Sequence, residues 1–263
     1  MLEELKEAHQ KAWGVIMRLL MLIGPFAAYG LLLVFFWFVY PPQEGFALFS
    51  FSPQYLVLLG LLLVYLIPPF GKETVIPVAL LGGEALINLI ATVTGIVLDP
   101  ASVTGFPLWV IVIGIVGLDI AVSAFVTLNF NLLLKIPGVG RFLRWIMRGA
   151  DNIIQSKPWV KNLSSTGLLL FMYIPFQGSG ALTSSVIARL LNYPPIFAIG
   201  LVTFGSLLST LSIGLGLSSI LALWQVNPVL GILMAAALLG LITLFALSWG
   251  KIVNKLQQNK AHE

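Results

Sequence analysis

The stretch Leu108–Leu134, LWVIVIGIVGLDIAVSAFVTLNFNLLL, runs twenty-seven residues with one charge before the final turn, Asp119. About 20 apolar residues in a helix cross the ~30 Å hydrocarbon core of a bilayer. Residues 13–40, 195–224 and 228–250 are runs of the same kind. Within hydrocarbon, each backbone N–H and C=O must find its partner inside the protein, so continuous apolar runs of this length are helices. Barrel strands would be short and alternating. The expected class is therefore an all-α integral membrane protein, a polytopic helical bundle. With 59% apolar and 9% charged residues, no ordinary water-facing surface could be built. The first run follows an acidic start (Glu3, Glu4, Glu7) and exceeds a signal-peptide core, so a retained helix is expected.

Charge sets the orientation. Lys6, Lys11 and Arg18 flank the first run. Lys135, Arg141, Arg144, Arg148, Lys157 and Lys161 lie in a central polar segment, and Lys251, Lys255 and Lys260 in the tail. The intervening loops 41–53, 99–107 and 225–227 contain no Lys or Arg. The positive-inside rule then places both termini and the central segment on the cytoplasmic side of a cell membrane. Trp13, Trp145, Trp159 and Trp249 fall at the inner interface by this count, and Trp37, Trp109 and Trp224 at the outer one. The net charge of +4 speaks of headgroups rather than nucleic acid.

Two apolar legs, 163–174 and 181–191, are only ~16–18 Å long as helices, about half the core. They are expected to enter from the cytoplasm, turn at Pro175–Gly180 and return, with the turn buried in protein or lining a wet cavity. Residues 54–67 form another short leg, followed by a second from about Val75 to Leu98. These make either a matching hairpin from outside or two ordinary spans. The tips resemble each other, Ile67-Pro68-Pro69-Phe70-Gly71 against Ile174-Pro175-Phe176-Gln177-Gly178. Each is followed by a second leg and a long helix. Two opposed re-entrant hairpins in an inverted-topology repeat are the resulting expectation, an arrangement common among secondary transporters. The domain reading is one membrane domain, 1–263. It comprises a first helix (1–53), repeat one (54–134), a basic interfacial segment (135–162), repeat two (163–224), and a last helix with its tail (225–263).

Charges at membrane depth cost ~2.5–3.5 kcal/mol each on insertion scales and are functional candidates by default. Four occur: Lys72, Glu73, Glu84 and Asp119. Lys72 and Glu73 begin the second leg of hairpin one, where they either cap and neutralise the tip or meet substrate or a coupling ion. Asp119, Ser123, Thr127 and Asn131 recur every four residues, a polar stripe that faces a cavity or bonds between helices. Glu84 and Asn88 line the same cavity or the outer interface. Gly178, Ser179 and Gly180 form the second tip, an anion-friendly turn if their N–H groups converge, and Thr183 adds a hydroxyl. Ser206, Thr210, Gly214 and Ser218 read most simply as close packing between helices, and Arg189 as a side chain snorkelling to headgroups. Arg141, Arg144 and Arg148 share one face of an amphipathic stretch, expected to lie on anionic headgroups.

Enzyme chemistry finds little support. The chain has no Cys, and its two His, His9 and His262, lie near the termini. There is no phosphate-binding lysine loop or paired-His zinc motif. No second membrane Asp completes a dyad with Asp119. No enzyme, metal or cofactor is expected.

"PFGKETVIP" and "PFQGSGALTSSVIARLL" resemble the two signature segments of the small multidrug export protein family. That family is similar in architecture to the DedA/SNARE-associated superfamily. Glu73 and Pro77 resemble its E-x-x-x-P pattern, and Pro175, Gly178, Ser179 and Gly180 its P-x-x-G-[ST]-G segment. Lys72 stands where the family often has Arg, and the bacterial DedA arginine motif is not evident. The resemblance implies membrane transport, of polyprenyl-phosphate lipids by analogy with DedA relatives or of cations by the family's name. The residues lean toward a phosphate-bearing lipid or other amphipathic anion, moved by alternating access. Proton or Na⁺ coupling would then run through Glu73 and Asp119. Small-cation export, an uncoupled scramblase, a non-transporting scaffold and a homo-oligomer remain open.

A cysteine-free chain tests the topology directly. With single cysteines at Lys72 and Ser179 as probe positions, the one at Lys72 should resist impermeant thiol reagents applied from the cytoplasm alone. Free labelling of the Lys72 position from that side would instead mean two spans.

Overall fold

A computed structural model describes residues 2–41, 51–67, 70–83, 104–138, 140–141, 143–145, 148, 167–169, 172, 180–241 and 243–244, with side chains from Gly14 onward. Its principal elements are helices: α1 (Leu2–Val39), α2 (Pro53–Leu66), α3 (Lys72–Leu81), α4 (Leu108–Leu128), α5 (Ala181–Leu190), α6 (Pro195–Val226) and α7 (Pro228–Leu241). Among the described residues, three stretches are long and apolar enough to cross a membrane: Gly14–Val39, Leu108–Leu128 and Pro195–Val226. The chain divides into two compact units, Met1–Thr210 and Leu211–Glu263.

In the second unit the end of α6 and α7 form a tight pair. Asn227 Oδ1 accepts from the Val229 N–H at 2.9 Å and so caps α7. A side chain at Gly231 would stand 3.0 Å from the Trp224 ring.

In the first unit α4 is the axis, because its apolar residues are buried on more than one side. Small residues let α1 come close. A Cβ at Gly117 would lie 2.6 Å from Leu32 Cδ2, and the Tyr29 hydroxyl donates to Gly114 O at 3.2 Å. Ser52 ties α1 to α2: its hydroxyl donates to Tyr40 O at 2.9 Å and accepts from the Tyr55 N–H at 3.2 Å as the N-cap of α2.

Helices α2 and α3 form an antiparallel pair whose outer ends both meet the approach to α4. At the start of α2, Gln54 exchanges two hydrogen bonds with the Thr104 backbone, at 2.8 and 3.1 Å. At the end of α3, Ala79 O accepts from the Phe106 N–H at 2.8 Å. Fourteen and ten residues give legs of about 21 and 15 Å. Of the second leg, expected from about Val75 to Leu98, α3 covers the part to Leu81, and residues 84–98 lie outside the described residues. Gly82 ends α3 with φ 66° and ψ −158°, a backbone region open essentially to glycine.

Helix α5 takes the opposite course. Ala181, at its start, shares a cluster with Met172 and Val202, and Val122 of α4 packs against it. Further along, Val186 joins Val126, Phe130, Leu133 and Leu143, with Leu190 and Leu134 packed against them. So α3 runs from the middle of α4 toward its N-terminal end, and α5 from the middle toward its C-terminal end. Helix α6 begins beside Ala188, in a cluster with Ala198, and reaches the α5 start at Val202.

Helix α4 itself ends at Leu128, six residues before the expected Leu134. The Asn129 amide donates to Phe125 O at 2.9 Å and Met21 O at 2.8 Å, a side-chain alternative to the helical ladder. Asn131 lies beyond this break and is exposed, so the polar stripe on α4 stops at Thr127.

Gly82→Ala is expected to destabilise the protein by about 1–3 kcal/mol from backbone strain alone, with more from a Cβ driven into the Gly105 backbone. Gly83→Ala, also at positive φ (61°) but facing open space, should cost less. Thermal unfolding of the two variants in detergent checks the order.

Candidate functional site

Lys72 is the first residue of α3, at the inner end of the α2–α3 pair. Asp119 is the twelfth of the twenty-one residues of α4, at its midpoint. The two are buried, 8% and 2% exposed, and Lys72 Nζ lies 3.1 Å from Asp119 Oδ2. Lys72 also donates to Ser206 Oγ and Ser209 Oγ, each at 2.9 Å. An ammonium has three N–H donors, and these three partners take them all.

The carboxylate is equally well served. Asp119 Oδ1 accepts from the Tyr65 hydroxyl at 2.9 Å, and Oδ2 from the Ser206 hydroxyl at 2.5 Å. Ser206 thus accepts from the lysine and donates to the aspartate, while Ser209 donates onward to Ser206 O at 3.1 Å. Removing two charges from water costs several kcal/mol per ion, offset only by close pairing and complete hydrogen bonding. Four helices meet those terms: α2 brings Tyr65, α3 Lys72, α4 Asp119, and α6 both serines.

Glu73 behaves differently from its neighbour. Its carboxylate folds back over Gly71, where a Cβ would stand 2.5 Å from both of its oxygens. There it faces the positive end of α3, a favourable place for an anion. Among the described residues Glu73 Oε1 is buried without a hydrogen-bond partner. The adjacent pair in the sequence is therefore not an ion pair in space: Lys72 binds Asp119.

The start of α5 approaches the same level. Val122 and Val202, which pack with Ala181, lie about one helical turn from Asp119 and Ser206 respectively. Two helix N-termini, of α3 and α5, therefore come to the middle of α4. Gly180 is the N-cap of α5, with φ −65° and no side-chain cap. Thr183 is half-buried. Glu84, Gly178 and Ser179 lie outside the described residues. Along α4, Ser123 and Thr127 are buried as the stripe requires, but Thr127 donates within its own helix, to Ser123 O at 2.7 Å.

Sequence reasoning missed Tyr65 and Ser209, and read Ser206 as packing alone. Ser206 and Ser209 stand three residues apart on one face of α6, but Thr203, Thr210, Ser212, Ser218 and Ser219 share that helix, so the spacing singled out neither serine. Nothing in the sequence marked Tyr65. Away from the centre, Arg141, Arg144 and Arg148 are exposed, as is Trp145 at 70%, while Leu143 between them is buried. Arg189 donates to Tyr193 O at 2.9 Å and lies 5.8 Å over the Phe130 ring.

Residues 90–212 match the family model described as "Putative small multi-drug export protein". The family resemblance is thereby shown for the segment that supplies Asp119, Ser206 and Ser209, whereas Tyr65, Lys72 and Glu73 precede it. Neither curated proteins nor solved structures gave a match. Helical membrane architecture and an export family together suggest a membrane transporter.

Asp119→Asn should cost about 3–5 kcal/mol, because it strands a buried lysine charge. Replacing both partners, Lys72→Met with Asp119→Leu, should cost less than either single change. Denaturant unfolding of the four proteins gives the cycle. Additive losses would mean the two charges do not interact.

Proposed function

We propose that this chain is a multi-pass cell-membrane transporter that exports small amphipathic cations, and that Lys72 holds the substrate's place on Asp119. The observation that carries the reading is the saturated Lys72 ammonium on a carboxylate at the centre of a membrane-length helix. A lysine with every donor engaged has nothing left to offer an anion. A cation that takes its place on Asp119 meets a site already shaped for positive charge, with Tyr65 and Ser206 fixing the carboxylate. The neighbouring Glu73 carboxylate adds a second negative charge at the same tip.

The opposed courses of α3 and α5 support an inverted repeat with two re-entrant hairpins, whose tips meet at the membrane midplane. Both termini would then be cytoplasmic. Alternating access follows if the tip of α2–α3 is docked when Lys72 holds Asp119 and released when substrate or a proton replaces it.

A second reading, transport of a phosphate-bearing lipid in the manner of DedA proteins, draws on a different feature. Two helix N-termini reach this level, and the start of α5 has no side-chain cap. A phosphate would have to draw Lys72 away from Asp119.

Purified protein in lipid vesicles separates the two. The expected result is pH-gradient-driven uptake of a cationic dye that falls about tenfold or more in Asp119→Asn, as loss of a buried charge contact allows. Movement of a fluorescent lipid phosphate without dye uptake would establish the second reading. Movement of neither compound would leave a scaffold.

A further inference from the structure

Four buried oxygens flanking the Lys72–Asp119 pair have no hydrogen-bond partner among the described residues: Glu73 Oε1, Ser123 Oγ, Ser185 Oγ and Thr210 Oγ1. Ser123, Ser185 and Thr210 are wholly buried. In a protein interior, polar groups are paired almost without exception, because each unpaired one forfeits its hydration. Their positions are ordered. Ser123 follows Asp119 by one turn on the same face of α4. Ser185 lies at about the same level, since Ala181 and Val186 on either side of it cluster with Val122 and Val126. Glu73 and Thr210 are the chain neighbours of Lys72 and Ser209, and α3 leads from there toward the N-terminal end of α4. Thr210, one turn beyond Ser206 on α6, thus extends the central cluster one way, Ser123 and Ser185 extend it the other, and Glu73 stays at the tip over Gly71.

We infer that these groups form a proton path through the unit, with Asp119 as its middle station. This rests on the transport reading and names its coupling ion. Hydroxyls with unused donor and acceptor capacity are what a transient file of water needs along its course, and chains of carboxylates and hydroxyls mark proton relays in membranes. A proton entering past Glu73 and Thr210 reaches Asp119 and neutralises it. Lys72 loses its counter-charge and the hairpin tip is released. The proton leaves past Ser123 and Ser185 toward the C-terminal end of α4, restoring the carboxylate. No bond other than O–H is made or broken.

Ser123→Ala and Ser185→Ala decide the matter, since neither touches the ion pair. A merely structural hydroxyl with no partner is a liability, and replacing it should leave stability unchanged or raised and transport untouched. A relay hydroxyl gives a different pattern. In vesicles of phosphatidylethanolamine and phosphatidylglycerol, gradient-driven uptake of the cationic dye should fall about tenfold in each variant. Dye-for-dye exchange without a gradient should persist, and the unfolding temperature should not drop. Unchanged gradient-driven uptake in both variants would overturn the path. Should wild-type vesicles exchange no dye, the transport reading fails by itself. The path is then judged by potential-driven proton entry, read with a trapped pH-sensitive dye. Equal rates in wild type and variants would overturn it, and about tenfold slower entry in the variants would sustain it.

Discussion

The contact between Lys72 and Asp119 is the constraint to which the first unit is built. Neither charge can be left alone at the middle of a membrane-length helix, and each needs more than the other to be tolerated there. The consequence runs outward through the fold. Tyr65 must end α2 where its hydroxyl reaches Oδ1, α3 must begin at the inner end of the hairpin, and α6 must present two serines three residues apart. Small residues on α4 let its neighbours close in, Gly117 admitting Leu32 and Tyr29 of α1 and Gly114 admitting Leu62 of α2. A purely apolar centre would pack as well. An ion pair instead makes the position of the α2–α3 tip depend on charge.

Much of this architecture was legible in the chain. Apolar length alone identifies α1, α4 and α6, because hydrocarbon thickness is a fixed ruler. The second short leg, 181–191, coincides with α5 because Gly180 before it and the turn after it punctuate an otherwise unbroken apolar run. Asp119 was legible for the opposite reason: a lone carboxylate in such a run has to be accounted for.

What the sequence concealed was distance. Lys72 and Glu73 are adjacent, and adjacency invites pairing, yet successive helical residues project about 100° apart. One reaches across to α4 while the other folds back over Gly71. Tyr65 and the serines belong to residue types so common in membrane helices that only the burial of a charge beside them reveals their part. The end of α3 at Gly82 was hidden similarly, since a glycine inside an apolar run reads as packing until its φ is known.

The feet of the α2–α3 hairpin are fastened where Gln54 grips Thr104 and Ala79 meets Phe106. Near its tip, the side chains of Tyr65 and Lys72 reach Asp119, Ser206 and Ser209. A body fixed at one end and latched at the other is a lever, and here the arm is the length of α2. Tilting a ~21 Å arm by about 10° moves its tip by ~3.6 Å, more than a hydrogen bond can stretch. A small rotation about the feet would thus part Lys72 from Asp119 at the centre. Mechanical advantage of this kind would let a slight displacement at the feet undo an ion pair a helix length away.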